Sequence, residues 1–360
     1  MKNSKKAIII SFDGKWSHRE QKRFKVEHLQ SKGVQVKVLA DNLEEDFDDL
    51  RLSKKELIRF IKESRKKSIN IFLFHTNPNF PNLFMLFILT ILKVRYGILL
   101  NNQILETFNF MHINNFLGKL YSQLLFIIFR RPDFLFYGGE SSKETFLYKY
   151  AINKVPIHSH DYESFIEQSA ILSPDNAKDL NKEYIVFIDE GGDYHPDQYI
   201  VKGYSGFKKG YYEDLKRFLK RVSKITHKDV YIALHPSVDE SKLDFGDFKV
   251  FKNITKELIK YSDFVLMHKS TSISFVTLYD KNVIILESKF SQDLYRKHLY
   301  NLAYFFDTKP LKMYESYLDN QYFKKYFFNR KKYKDYLEQY VNANVNNRRS
   351  WIDICLENVF

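Results

Sequence analysis

Cysteine is nearly missing from this chain of 360 residues. Cys355 stands alone, which excludes a disulfide framework or a cysteine-built metal site and fits a reducing compartment. Glycine (12) and proline (8) are scarce, so collagen-like and Pro/Gly-linker classes fall away. Long apolar runs are also absent. The strongest, in "NLFMLFILTILKVRYGILL", is broken by Lys93 and Arg95 after about ten residues, half of what a membrane span needs. The amino-terminal apolar run, Ala7 to Ile10, is too short for a secretory leader and reads as a first buried strand, so a cytoplasmic location is expected. The sequence carries no GxGxxG, GxxxxGK[ST], GxSxG or HExxH motif, which argues against a dinucleotide fingerprint, P-loop hydrolysis, an esterase elbow or a zincin site.

What is present is a soluble, globular composition, 44% hydrophobic and 28% charged, long enough for two domains. Lys and Arg outnumber Asp and Glu by 57 to 44. The resulting net charge of +13 suits an anionic partner: nucleic acid, a phospholipid surface or a phosphorylated substrate. Charge concentrates late, in "YFKKYFFNRKKYKDYLEQY".

Short β-branched runs alternate with helical spacing. "KAIIISF", "VQVKVLA", "INIFLFHT", "DFLFYGG" and "KVPIHSH" read as strands, and "SKKELIRFIKESRKKS", with Leu57, Ile58 and Ile61 at helical intervals, as a helix. After a polar stretch the rhythm restarts with "YIVFIDEGG", "DVYIALHPS", "FVLMHKS" and "NVIILES" as strands separated by helical segments. Such alternation predicts parallel sheets covered on both faces. The reading is an amino-terminal α/β domain over 1–172, a second over 173–310 and a helical basic-aromatic extension over 311–360, with a cleft between the two domains.

Ligands of parallel α/β sheets collect outside the carboxyl ends of the strands. This selects Asp13-Gly14, His75, Gly138-Gly139-Glu140, His158 to Asp161, Asp189 to Gly192, His235-Pro236-Ser237 and His268 to Ser272 as candidates. An imidazole at His235 can protonate or hold a leaving phosphate, with Pro236 fixing the turn, although a solvated turn would look the same. Ser270, Thr271 and Ser272 place three hydroxyls at a helix start, an arrangement that binds phosphate without a metal and exceeds what one N-cap needs. Asp189 and Glu190 before Gly191 and Gly192 put carboxylates on a tight loop. They can accept a proton, bind sugar hydroxyls or, with His195 or Asp197, ligate a cation. His158 and His160, alternating along a strand, would share one face, but no third ligand accompanies them, so no metal is assigned. Asp161 is a candidate general base. Asp13, Gly14, His75, His158 and His160 fall on the acceptor side.

The His-Pro at a strand end, the hydroxyl cluster at a later helix start and the acidic-Gly element resemble the motif set of bacterial sialyltransferases and capsule polysialyltransferases. The resemblance covers mainly residues 155–290. It implies a GT-B-like fold of two tandem Rossmann-like domains facing a cleft, and an inverting, metal-independent transfer of a nonulosonic or Kdo-type sugar from a CMP-sugar donor, with no separate cofactor. His235 would then act on the phosphate with Ser270, Thr271 and Ser272. As base, Glu190 matches by motif and Asp161 by position; Asp161 is favoured, with Asp189 and Glu190 on the donor side. The acceptor would be a surface glycan or lipid-linked glycan. A UDP- or GDP-sugar glycosyltransferase of the same fold is the rival among enzymes, and a glycan- or nucleic-acid-binding module the rival outside them. No nucleic acid partner is expected, because no recognised motif accompanies the basic tail. "FMLFILTIL", "YSQLLFIIFRR" and the basic-aromatic stretch suit either core helices or a peripheral contact with an anionic membrane.

Overall fold

The computed structural model describes residues 5–75, 83–101, 130–167, 183–191, 210–236, 238–239, 241, 243–316, 318–342 and 348–360. Gly192, His195, Pro196, Asp197, Ser237 and most of "YSQLLFIIFRR" lie outside them, as do the side chains of Asp13 and His75.

Alternation in the first strand shows why the amino-terminal half folds as a sheet covered on both sides. In β1 (Lys6–Trp16), Ile8 and Ile10 enter one apolar cluster with Trp16, Phe72, Phe74, Phe136 and Trp351. Ala7 and Ile9 enter another with Leu57, Ile61, Leu73 and Ile98. Successive side chains of a strand point to opposite faces, so a run apolar at every position needs cover twice. The remaining strands are β2 (Val34–Leu43), β3 (Asn70–His75), β4 (Arg95–Leu100), β5 (Phe134–Gly138) and β6 (Asn153–Ile157), all parallel, in the order β2-β1-β3-β4-β5-β6. The helix Lys54–Lys66 covers one face through Leu57 and Ile61 and starts on a capping box between Ser53 and Glu56.

The second sheet contains β7 (Tyr184–Ile188), β8 (Asp229–Leu234), β9 (Lys249–Lys252), β10 (Phe264–Met267), β11 (Asn282–Glu287) and β12 (Leu311–Lys312). These too are all parallel, in the order β12-β11-β10-β7-β8-β9. The chain runs outward from β7 through β8 to β9, then crosses back to β10 on the other side of β7. That reversal makes the β7–β10 junction the topological switch point of a Rossmann-like sheet, outside whose carboxyl ends ligands bind. The helix Tyr211–Thr226 covers this sheet by burying Leu215, Phe218, Leu219 and Val222 at helical spacing.

The chain forms two compact units. Among the described residues, the first takes 5–101, 130–163 and 338–360, and the second 164–167 and the described residues from 183 to 337. The expected extension over 311–360 is thus divided between them. Its aromatic residues are structural: Phe323, Tyr326, Phe328, Tyr333 and Tyr336 are buried in the second unit, with Phe328 stacked on Phe306 at 4.1 Å. The last helix, Trp351–Val359, joins the core of the first unit, where Cys355 is buried.

Candidate functional site at the switch point of the second sheet

β7 ends in two carboxylates held differently. Asp189 is 2% exposed and accepts the Gly191 N–H at 2.8 Å, a tight turn in which Gly191 takes a φ of 78°, where a side chain would be strained. Burial pushes its carboxyl up to about 7, with the Gly191 N–H and Tyr212 hydroxyl opposing. Glu190 is half-buried. It accepts the Tyr295 hydroxyl at 2.5 Å on Oε2, while Oε1 is sheltered and has no hydrogen-bond partner. Burial raises this carboxyl to about 8, and the Tyr295 hydroxyl and the backbone N–H and charge of Lys269 offset only part of that. At neutral pH Glu190 is therefore a carboxylic acid that can donate.

β10, on the other side of the junction, delivers His268 and Lys269. His268 is fully buried, within 2.7 Å of both the Leu286 carbonyl (Nδ1) and the Tyr211 hydroxyl (Nε2). Burial lowers it to about 4, so the ring is neutral: Nδ1–H donates to the carbonyl and Nε2 accepts from the tyrosine. It ties the start of the helix Tyr211–Thr226 to the sheet. Lys269 precedes the hydroxyl run. The Ser272 N–H donates to Ser270 Oγ at 3.2 Å, Thr271 is exposed, and Ser272 makes no side-chain cap bond to the helix Ile273–Leu278. Only one of the three hydroxyls is engaged as a local cap.

His235 and Pro236, both half-buried, follow β8, which pairs with β7 on the side away from β10. The His235 carbonyl accepts the Val238 N–H at 3.1 Å, closing the expected turn. His235 thus shares the carboxyl edge with Asp189 and Glu190 but stands one strand from the junction.

Two site residues escaped sequence reasoning, Tyr295 and His298, three apart on the helix Asp293–Phe305. His298 is lowered to about 4 by burial and by the charge of Lys269, and its Nδ1 is sheltered without a hydrogen-bond partner. Their helical spacing was legible, but a lone tyrosine and histidine on an amphipathic helix read as surface. Glu190 Oε1, Asp214 Oδ2, Ser291 Oγ and His298 Nδ1 are all sheltered and unpartnered, and all belong to segments that leave the carboxyl edge of this sheet. Buried polar atoms are normally satisfied, so these four are available to a polar partner at this edge.

In the first unit the candidates separate. Asp13 and Gly14 lie inside β1, at a register shift between Phe12 and Lys15, and not past its end as expected. Gly14 has φ 133°, and the bulge lets the strand continue to Trp16. His75 ends β3. His158 and His160 do not alternate on one strand: His158 forms an isolated bridge with Asn342, and His160 opens the helix His160–Ile166. His158 is hydrogen-bonded to Glu163, which also holds Lys25 and accepts the Trp351 N–H. Burial pushes Glu163 up, but hydrogen bonds from His158 and Lys25 overcome it and bring it to about 2. His160, packed edge-on against Phe24 and Trp351, is lowered well below its usual value by burial and by Arg23. Both rings hold this unit together. Asp161, half-buried in the first turn of the same helix, faces Arg23, a guanidinium that burial and Arg19 lower and that Asp161 and Glu20 only partly hold up. Gly138-Gly139 is no open loop, because residues 339–341 lie against it.

No protein-family model and no curated protein matches the sequence. Solved structures do match in fold. A UDP-GlcNAc 2-epimerase from Neisseria meningitidis bound to UDP-GlcNAc is 13% identical, with a TM-score of 0.52 over 98% of this chain and 99% of its own. The wall teichoic acid polymerase TagF with CDPG is 10% identical, with a TM-score of 0.50 over 99% of this chain and 88% of that one. Another UDP-N-acetylglucosamine 2-epimerase is 11% identical, with a TM-score of 0.50 over 93% and 94%. This overturns the resemblance to bacterial sialyltransferases, since these neighbours are UDP-GlcNAc 2-epimerases and a teichoic acid polymerase and not CMP-sialic acid enzymes. A His-Pro, a hydroxyl run and an acidic-Gly turn can serve phosphate at the carboxyl edge of a Rossmann-like sheet whatever the nucleotide, so they do not choose the base. At such identities the likeness establishes the fold: the chain consists of two Rossmann-like parallel-sheet domains of the GT-B-like class.

Proposed function

We propose that this chain is a nucleotide-sugar enzyme, a glycosyltransferase of cell-surface polysaccharide synthesis whose donor is a UDP-linked sugar bound at the β7–β10 junction. The observation that carries the reading is Glu190: a raised carboxyl with one unpartnered oxygen, beside Lys269, at the switch point. Lys269 and the backbone N–H groups and hydroxyls of Ser270 to Ser272 meet the diphosphate. Glu190, protonated at neutral pH, donates a hydrogen bond to the donor. His235, on the same edge, stabilises charge on the departing phosphate. The names of the fold neighbours, which include UDP-GlcNAc and CDPG, support a nucleotide donor. Thermal shift with UDP, GDP, CDP and CMP tests it. UDP is expected to raise the melting temperature most, and the reading fails if no nucleotide does. Conversion of UDP-GlcNAc to its C2 epimer without an acceptor would replace transfer by epimerisation.

A further inference from the structure

Seven large hydrophobic residues are exposed among the described residues, and four of them are tyrosines, whose hydroxyls suit water. The other three, Phe87, Ile91 and Ile152, all belong to the first unit. Phe87 and Ile91, 51% and 58% exposed, are one turn apart on the outer side of the helix Leu83–Leu92, whose Ile88 and Leu89 are buried in the core. This helix is apolar all round, where a surface helix normally has a polar face. Thr90 Oγ1 accepts the Arg130 N–H at 3.0 Å, and the Ile152 N–H donates to the Pro132 carbonyl at 3.0 Å. The short segment between Arg130 and Pro132 therefore joins the helix to Ile152, which is 57% exposed. Cations rim the same place. Lys93 and Arg131 are exposed, and so is Lys154, two residues after Ile152. Arg131 and Lys154 rest over the rings of Tyr150 and Tyr148 at 5.8 Å. Asp133, the acid nearest on this segment, is buried and already paired with Arg130.

We infer that this patch docks the enzyme on an anionic lipid bilayer, Phe87, Ile91 and Ile152 entering the head-group boundary while Lys93, Arg131 and Lys154 meet the lipid phosphates. Charge decides the occupant: apolar side chains ringed by cations, on a chain of net charge +13, match a surface that is apolar beneath and negative above. A second copy of the chain would bring the same cations against themselves.

Co-sedimentation of the full chain with phosphatidylcholine vesicles, with and without phosphatidylglycerol, tests the inference. Wild type is expected to sediment with the phosphatidylglycerol vesicles, to stay in solution with phosphatidylcholine alone, and to be released by salt. Phe87→Ser with Ile91→Ser is expected to weaken partitioning roughly tenfold or more. Lys93→Glu with Arg131→Glu should weaken it about fivefold or more per charge. These side chains point outward, so unchanged melting confirms that each variant is folded. The inference is overturned if wild type ignores the anionic vesicles at low salt or if both variants sediment as wild type does. It also fails if wild type dimerises without lipid and Phe87→Ser with Ile91→Ser abolishes the dimer, since the patch would then be a self-interface.

Discussion

The Tyr295 hydroxyl donates to Glu190 Oε2 at 2.5 Å, while the other carboxylate oxygen is sheltered and has only the N–H and charge of Lys269 to offset its burial. This half-satisfied carboxyl makes the protein's stability depend on pH. Its pKa in the fold, about 8, lies above the ordinary 4.5, so the folded state holds an extra proton between those values. Stability from this group is complete below about pH 4.5 and is lost as pH rises through 8. Glu190→Gln removes the titration and keeps the shape. It is expected to flatten the fall in melting temperature across that window and to be the more stable protein at pH 9, by on the order of a few kcal/mol. Melting curves of the two proteins from pH 5 to 9 check this, and parallel curves would refute it.

Nucleotide binding should follow the same protons. A diphosphate seated beside Lys269 meets a neutral Asp189 and Glu190 below about pH 7 and two carboxylates above 8. The Kd for UDP is expected to rise roughly tenfold between pH 6.5 and 9, the cost of about one uncompensated like charge. Glu190→Gln should remove part of that rise. Lys269→Ala should weaken UDP at least tenfold at every pH by taking away a charge-assisted partner. Titration calorimetry across pH measures both, and a UDP affinity indifferent to Lys269 would place the phosphate elsewhere.

His268 has the opposite sign. Burial lowers it to about 4 from 6.5, so its contribution is complete above about pH 6.5 and is lost as pH falls through 4. His268→Phe also removes the ring's hydrogen bonds to the Tyr211 hydroxyl and the Leu286 carbonyl, each 2.7 Å long. A loss of about 2–4 kcal/mol is expected in chemical denaturation at pH 7, together with a shallower dependence on acid. Full stability in that variant would mean that the helix Tyr211–Thr226 does not depend on the ring.

How much of this was readable in the residues follows from which interactions are local. The strands and most helices were, because "AIII", "YIVFI" and "NVIIL" can only be buried runs and "KKELIRFIKES" has its apolar residues on one side. The acid pair at the end of β7 and the lysine-hydroxyl run after β10 were legible as strand ends. Their adjacency was not, since it comes from a crossover that lays the fourth strand of the second sheet beside its first. Tyr295, about a hundred residues from Glu190, could be joined to it only by the fold. Strand alternation would put His158 and His160 on one face, whereas the strand stops at Ile157 and a helix begins at His160. The basic-aromatic stretch looked like a surface because its charges are conspicuous, but its rings fill the second unit's core.

Gly139 reads in the sequence as part of an open strand end, and the structure gives it a different task. Its φ is 87°, and a Cβ placed there would lie 2.3 Å from the Gln339 carbonyl oxygen. The returning segment is fixed at this point by the Ser141 hydroxyl, which donates to the same carbonyl at 2.7 Å, and by the Ser159 N–H, which donates to the Val341 carbonyl at 2.8 Å. Gly139→Ala meets backbone and a disfavoured φ together, so neither a rotamer change nor a small shift relieves it. The substitution is expected to cost about 2–4 kcal/mol in urea unfolding, while Ser141→Ala, which removes one hydrogen bond without a clash, costs about 1 kcal/mol. Because residues 338–360 complete the core of the first unit through Trp351 and Ile352, the Gly139→Ala protein should also expose Trp351 and shift its fluorescence to the red. An alanine variant with wild-type stability and fluorescence would show that the segment docks without the close approach at Gly139.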